Sequence, residues 1–302
     1  MNSFQVKSPA NIALIKYWGM QDEDLILPAN LSFSFNLSEC YTKSTFEVSD
    51  KDSYEFEGQQ SEQALQQIQR VRDAVGDLPY VRVVSENSFP ASCGLASSAS
   101  AFSALTYGLF VLATQVGASL EFGDLVELTR LSGSASAVRS LGDFFCTYDP
   151  SKPRELGQPG EWDLVDVVCT WNDTEKLVSS REGHGLADGS WLMAERLQGI
   201  PSRYESMLAS MDDDSIFDLI EEETWSFLLN HITCGQPLNY TDARAWDQIR
   251  TLKEEGLRFG YTFDAGATLH LICRSDDAEQ IAGKVECDRI FVCKPCEGAQ
   301  VL

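Results

Sequence analysis

Three charged residues far apart in the chain, Lys16, Arg139 and Asp264, each adjoin small or apolar residues that would hold a charged head in a fixed place. Lys16 and Tyr17 end the apolar run that begins at Ile12 and precede the turn residue Gly19. Arg139 follows Ser132-Gly133-Ser134-Ala135-Ser136-Ala137, tiny side chains that let backbone approach an oxyanion which the guanidinium can then grip. Asp264 stands between the aromatic stretch Tyr261-Thr262-Phe263 and Gly266, where a carboxylate can orient or deprotonate a substrate hydroxyl. Two cations that neutralise phosphate charge and a carboxylate that aligns a nucleophile make the set phosphoryl transfer needs. Each residue also has a plainer reading. The lysine can snorkel to water, the arginine can sit on a solvated helix face, and the aspartate can simply form a turn. It is the combination that points to chemistry.

A fourth segment belongs with them. Pro90-Ala91-Ser92-Cys93-Gly94-Leu95-Ala96-Ser97-Ser98 opens onto a long uncharged run from Ala99 to Leu120. A loop without bulky side chains lets backbone N–H groups face an anion, and the positive end of a helix dipole adds to that attraction. Its serine hydroxyls can hold phosphate oxygens or a magnesium ion. No Gly-Lys-Ser/Thr follows the glycine, so this is not a Walker A loop. A buried helix capped by serine is the reading that stands beside it.

These residues must be carried by a framework of strands first and helices later. Phe4 to Ile15 reads as a strand entering a turn, and Asn30 to Leu37 alternates as a strand does. Thr45 to Val48 with Ser53 to Phe56 suggest a hairpin, Glu62 to Val75 an amphipathic helix, and Tyr80 to Ser85 a strand. The long run to Leu120 and Phe122 to Leu131 are helical, and Leu164 to Trp171 is strand-like. Helices follow over Ser190–Leu197, Arg203–Met211, Ser215–His231 and Thr241–Gly256, then strands over Tyr261–Phe263 and Thr268–Cys273. The pattern predicts an α+β protein of two domains, residues 1–180 and 181–302.

With 23 basic against 46 acidic side chains the 302-residue chain carries a net charge of −23, which argues against nucleic-acid and anionic-membrane partners. An anionic substrate would therefore need a local basic island. Nine cysteines without a secreted-type spacing suit a reducing, cytoplasmic setting. Cys287, Cys293 and Cys296 cluster without a nearby fourth ligand, so packed thiols are expected rather than zinc. The first residues lack the basic start and apolar core of a signal peptide. The run from Ala99 contains Ser, Thr, Gln and Gly and fits a core helix better than a membrane span.

Taken together, Lys16-Tyr17-Trp18-Gly19, Leu27-Pro28, Ser85-Glu86-Asn87 with Phe89-Pro90, Gly94 to Ser98, Gly133-Ser134 to Arg139-Ser140, Ser179 to Gly183, and Tyr261 to Gly266 carry a resemblance. The chain resembles the diphosphomevalonate decarboxylases of the GHMP kinase superfamily, which includes galactokinase, homoserine kinase and mevalonate kinase. The resemblance implies an N-terminal α/β domain with a left-handed crossover type core and a ferredoxin-like C-terminal domain. It implies ATP-dependent decarboxylation of 5-diphosphomevalonate to isopentenyl diphosphate by way of 3-phosphorylation, with ATP and magnesium, in a cytoplasmic homodimer. By position, Asp264 would orient or deprotonate the 3-hydroxyl, Arg139 would engage the substrate carboxylate, and Lys16 would stabilise the transferring phosphoryl group. Gly94, Leu95, Ala96, Ser97, Ser98 and Ser180 would face ATP. Tyr17, Ser134, Ala135, Ser136 and Arg181, with Lys16 and Arg139, would hold the substrate. Met20 stands where that family continues with a basic residue, which keeps the 5-monophosphate open as the substrate. A kinase without decarboxylation and a non-catalytic metabolite-binding protein are the further alternatives.

Overall fold

Ser3–Ile15 (β1) and Ser32–Val48 (β4) are two long antiparallel partners, alternating near the start of β1 and the end of β4 and buried on both faces where residues 10–15 meet residues 33–37, with Val6 opposite Ser44 and Ile12 opposite Phe35. The computed structural model describes residues 3–90, 95, 97–171, 180–236, 238 and 240–302, with backbone alone for 180–182. Between β1 and β4 lies a small hairpin, Met20–Asp22 (β2) and Leu27–Pro28 (β3). Next come Ser53–Phe56 (β5), Gln59–Gln60 (β6), the helix Glu62–Val75 (α1) and Val81–Asn87 (β7). Ser61 starts α1, its hydroxyl accepting from the Ala64 N–H at 3.2 Å, and the helix turns Ala64, Ile68 and Val71 inward. The helices Ser97–Gln115 (α2), Phe122–Arg130 (α3) and Ser136–Arg139 (α4) precede Phe145–Tyr148 (β8). With a last strand, Gln300–Val301 (β13), these form a sheet ordered β13-β1-β4-β7-β5-β6, β8 pairing with β4. Expected as a hairpin with β4, β5 instead pairs in parallel with β7, across the α1 crossover, and turns back onto β6. The sequence pattern gives a strand's period but not its partner.

The second sheet begins before residue 180. Val165–Thr170 (β9) pairs on both sides with strands from the far end of the chain, so the sheets divide ahead of β9, not at 180. After β9 come Ser180–Leu186 (α5), Met193–Ser210 (α6), Ser215–Thr233 (α7) and Ala243–Glu254 (α8). They are followed by Gly260–Phe263 (β10), Leu269–Cys273 (β11), Ser275–Ala282 (α9) and Arg289–Cys293 (β12). The antiparallel order β10-β11-β9-β12, with helices between β9 and β10 and between β11 and β12, is the ferredoxin-like arrangement. One helix, α6, replaces the two expected around Pro201, which the helix carries inside it.

Two features tie the framework to the site. The core is continuous between the sheets: Ile12, Leu14 and Phe33 pack in one cluster with Val168, Met207, Phe217, Ile220 and Ile272. Side chains of this size contribute about 1.5–3 kcal/mol each when fully buried. The apolar helix α2 is long and apolar enough to cross a membrane, yet 61% of it is buried inside this protein. At Gly108 it lies so close to β4 that an added Cβ would fall 2.1 Å from the Phe46 ring.

Candidate functional site

The ends of β1 and β10 and the helices α2 and α4 open onto one cavity of about 600 Å³. Lys16 follows the last residue of β1, and Asp264 follows the last residue of β10. Across the gap between the two sheets, Lys16 Nζ donates to Asp264 Oδ1 at 2.7 Å, with the lysine side chain only 3% exposed. The lysine therefore does not snorkel to water. Gly19, at φ +77°, lets the chain turn away immediately; an added Cβ would meet Met193 Cε at 2.9 Å.

Arg139 closes α4 and is also buried, not on a solvated face. Its Nε donates to Asn11 Oδ1 at 2.9 Å, while Asn11 Nδ2 donates to Ser140 Oγ at 2.8 Å. Asn11 thus braces the guanidinium from β1. Arg139 Nη1 is buried with no hydrogen-bond partner among the described residues, and the residue lines the cavity. A desolvated guanidinium N–H with no acceptor is the condition an anionic ligand satisfies.

Charge coupling sets the protonation states. Burial pushes the Asp264 carboxyl up, but Lys16, His270 and Arg139 together outweigh it and hold it below the usual carboxylate value. Burial lowers Lys16, with Asp264 opposing and Arg139 adding to the fall. An ionised carboxylate beside a desolvated ammonium and a half-partnered guanidinium can align a hydroxyl and neutralise charge on a phosphoryl group.

Of the other residues expected at the site, Tyr17, Leu95, Ser97, Ser98, Ser134 and Ser136 line this cavity. Ser134 and Ser136 share a hydroxyl contact of 2.6 Å. Ala135 does not line it; its side chain packs against Leu125, Val126 and Val138. Gly94, Ala96 and the side chains of Ser180 and Arg181 lie outside the described residues. Ser97 and Ser98 start a 19-residue helix with no acidic residue in its first turn, so nucleotide phosphates fit there. Among the described residues no cluster of three or more His, Cys, Asp or Glu could hold a metal.

Sequence reasoning missed several lining residues, His184, Glu23, Gln63, Phe102 and Phe227 among them. The His184 ring stacks on Tyr17, centroids 4.7 Å apart and 8° between planes. Burial and the nearby Arg139 lower its pKa to about 4, so it is a neutral ring at physiological pH. A second buried pair, His270 Nδ1 and Asp166 Oδ2 at 2.6 Å, lies in the second sheet beyond Asp264.

The N-terminal part, residues 8–155, matches the family model described as the diphosphomevalonate decarboxylase-like N-terminal domain. Over 322 aligned residues, 93% of this chain is 30% identical to a diphosphomevalonate decarboxylase of Candida albicans, covering 86% of that protein. The chain belongs to the diphosphomevalonate decarboxylase family. The human diphosphomevalonate decarboxylase is 29% identical, over 92% of this chain and 78% of its own length. Mevalonate diphosphate decarboxylase from Staphylococcus aureus superposes with a TM-score of 0.89 at 26% identity, over 100% of this chain and 98% of the other. A structure described as MDDEF in complex with MVAPP, AMPPCP and magnesium gives 0.87 at 25% identity, over 99% and 98%. The two-sheet fold is thus that of the decarboxylase family, and the expected ferredoxin-like second domain is present.

Proposed function

We propose that this protein converts 5-diphosphomevalonate to isopentenyl diphosphate, ADP, phosphate and carbon dioxide. The 2.7 Å contact of Lys16 with Asp264, in one cavity with the unpartnered Nη1 of Arg139, carries the reading. In the first step the γ-phosphoryl group of ATP passes to the tertiary 3-hydroxyl. Phosphoryl transfer through a loose transition state asks little of a base, which suits a carboxylate held below its ordinary pKa. Asp264 then serves chiefly to aim the hydroxyl oxygen, and Lys16 to balance charge on the transferring group. In the second step the C–O bond breaks and phosphate leaves with the electron pair. The electrons of the carbon–carboxylate bond become the alkene, and carbon dioxide departs. Because the carboxylate loses its charge as it departs, Arg139 serves it by orientation more than by attraction. Ser97 and Ser98 would hold the nucleotide phosphates, and Ser134, Ser136, Tyr17 and Arg181 the substrate's diphosphate.

The 5-monophosphate is the second reading, favoured by Met20 and Glu23, which line the cavity and add no positive charge. The proposal includes a cytoplasmic homodimer without nucleic-acid or membrane partners; the net charge of −23 and the burial of α2 support the last two. The test is ADP release measured with the diphosphate and the monophosphate side by side while carbon dioxide is trapped. Turnover of the diphosphate with one carbon dioxide per ADP is expected. Preference for the monophosphate selects the second reading, and ADP without carbon dioxide means a kinase. Binding without turnover of either compound would overturn catalysis altogether.

A further inference from the structure

Behind Lys16, outside the cavity lining, lies a triad of buried Glu223 and Arg196 with half-buried Arg203, from α7 and α6. Glu223 accepts from the Lys16 N–H at 3.0 Å, from Arg196 Nη1 at 3.2 Å and from Arg203 Nη1 at 2.9 Å, and Arg196 Nη2 is hydrogen-bonded to it as well. The same Arg196 Nη2 donates to the Lys16 carbonyl at 2.7 Å, where Asn30 Nδ2 also donates at 3.1 Å. Both backbone polar groups of Lys16 are therefore held by side chains. The Glu223 and Arg196 side chains are each 1% exposed.

Stability is a poor account of such a triad. Taking charges out of water costs about what their pairing returns, and apolar replacements often serve a fold as well or better. Its place at Lys16 is the better account. A lysine head swings on a flexible four-carbon stem, so where it comes to rest depends on how firmly its backbone is fixed. We propose that Glu223, Arg196 and Arg203 are positioning residues that fix Lys16 for phosphoryl transfer. They reach it from the helices over the second sheet and so couple the two halves of the cleft at the reacting lysine. The inference rests on the proposed function for its use of Lys16, but not for the physical link between triad and lysine.

That link has an electrostatic signature. The charged groups facing Lys16 are Asp264 from the turn after β10, Asp166 from β9, Arg139 from α4, Glu223 from α7 and Arg196 from α6. Glu223 raises the lysine's affinity for its proton, against burial and Arg139.

The experiment uses the full chain and two variants. Glu223→Gln should lower kcat per folded molecule by about tenfold to a hundredfold, the scale of a 1 Å misplacement, with KM for both substrates within about twofold. Competitive amine labelling across pH, read at Lys16 by mass spectrometry, should show its titration moved downward. Arg203→Gln, at the outer edge of the triad, leaves Glu223 less compensated and should move the same titration upward. A merely structural triad would change the folded fraction alone. An unchanged kcat per folded molecule, an unmoved Lys16 titration, or shifts of the same sign in both variants overturns the proposal. Should Glu223→Gln not fold, Arg203→Gln decides by itself: an upward shift supports the link and any other result overturns it. If the wild type turns over neither substrate, the proposed function fails, while the titrations still decide whether the triad governs Lys16.

Discussion

Replacing Asp264 by asparagine keeps the side chain's shape and removes its charge, which isolates what the carboxylate does. Leaving a buried partner charge uncompensated costs about 3–5 kcal/mol. Lys16 can escape that cost. Burial already lowers its pKa, and Asp264 is the foremost group opposing the fall, so in the variant the lysine gives up its proton more readily. The destabilisation should then be below about 3 kcal/mol, a Tm loss of several degrees at about 2–4 °C per kcal/mol. Activity has no such escape. The variant lacks the carboxylate to which the proposed function gives the aiming of the hydroxyl, and it leaves Lys16 without its foremost charge partner. A 1 Å misplacement of a reacting group costs about 10²-fold, and a weakened charge partner at Lys16 adds to it, so kcat should fall by about 10²-fold or more. ATP affinity, carried by Ser97 and Ser98 at α2, should change little. Coupled ADP release gives kcat, calorimetry gives the ATP Kd, and thermal melts give the stability. Turnover within about tenfold of wild type, on protein with normal melting, would refute this account of the Lys16–Asp264 pair.

Arg139→Lys keeps a cation but loses the planar fork that donates to Asn11 and lines the cavity; kcat/KM measured by ADP release should drop at least about tenfold. Met20→Lys adds a cation to the lining, and a charge-assisted hydrogen bond of about 1.5–3 kcal/mol should tighten the diphosphate relative to the monophosphate by tenfold or more in competitive binding. Because the folded Asp264 pKa is depressed, its stabilising contribution is present above the unfolded value of about 4 and is lost as pH falls through the lower folded value. The Tm gap between wild type and Asp264→Asn should therefore close below about pH 4. Gly108→Ala drives a methyl into the Phe46 ring and should cost about 1–3 kcal/mol in chemical denaturation, with kcat per folded molecule unchanged.

The trio that the cavity gathers was legible in the sequence because each member adjoins a segment of distinctive texture. Lys16 ends an apolar strand, Arg139 follows tiny residues, and Asp264 follows an aromatic strand. Helix α1 emerged with its bounds intact since its cap and its apolar stripe agree. Partnership was harder to read. Nothing in Ser53–Phe56 says that it pairs with β7 and not with β4, and nothing before residue 180 says that β9 belongs to a sheet completed a hundred residues later. Those choices are made by tertiary packing, which local period does not encode. The triad behind Lys16 did leave a trace. Ile216, Ile220, Glu223 and Phe227 fall at helical spacing on one face of α7, and a carboxylate in that buried stripe is a charge in need of a partner. His184 left no such trace, since its importance comes from rings that reach it across space.

The pairing of β13 with β1 has a consequence for synthesis. Val6 lies opposite Val301 and Lys7 opposite Gln300, so this stretch of β1's edge stays open until residues 300 and 301 have left the ribosome. A bare strand edge is a template for pairing with other chains during that interval. Contacts so distant in sequence are also slow to close. The first sheet, though started at once, is therefore finished last. A nascent or truncated chain ending after β12 would hold Lys16, Arg139 and Asp264 and still present an unpaired border. Loss of the last few residues should accordingly be felt first as poor recovery of soluble protein, before any loss of chemistry in the molecules that do fold.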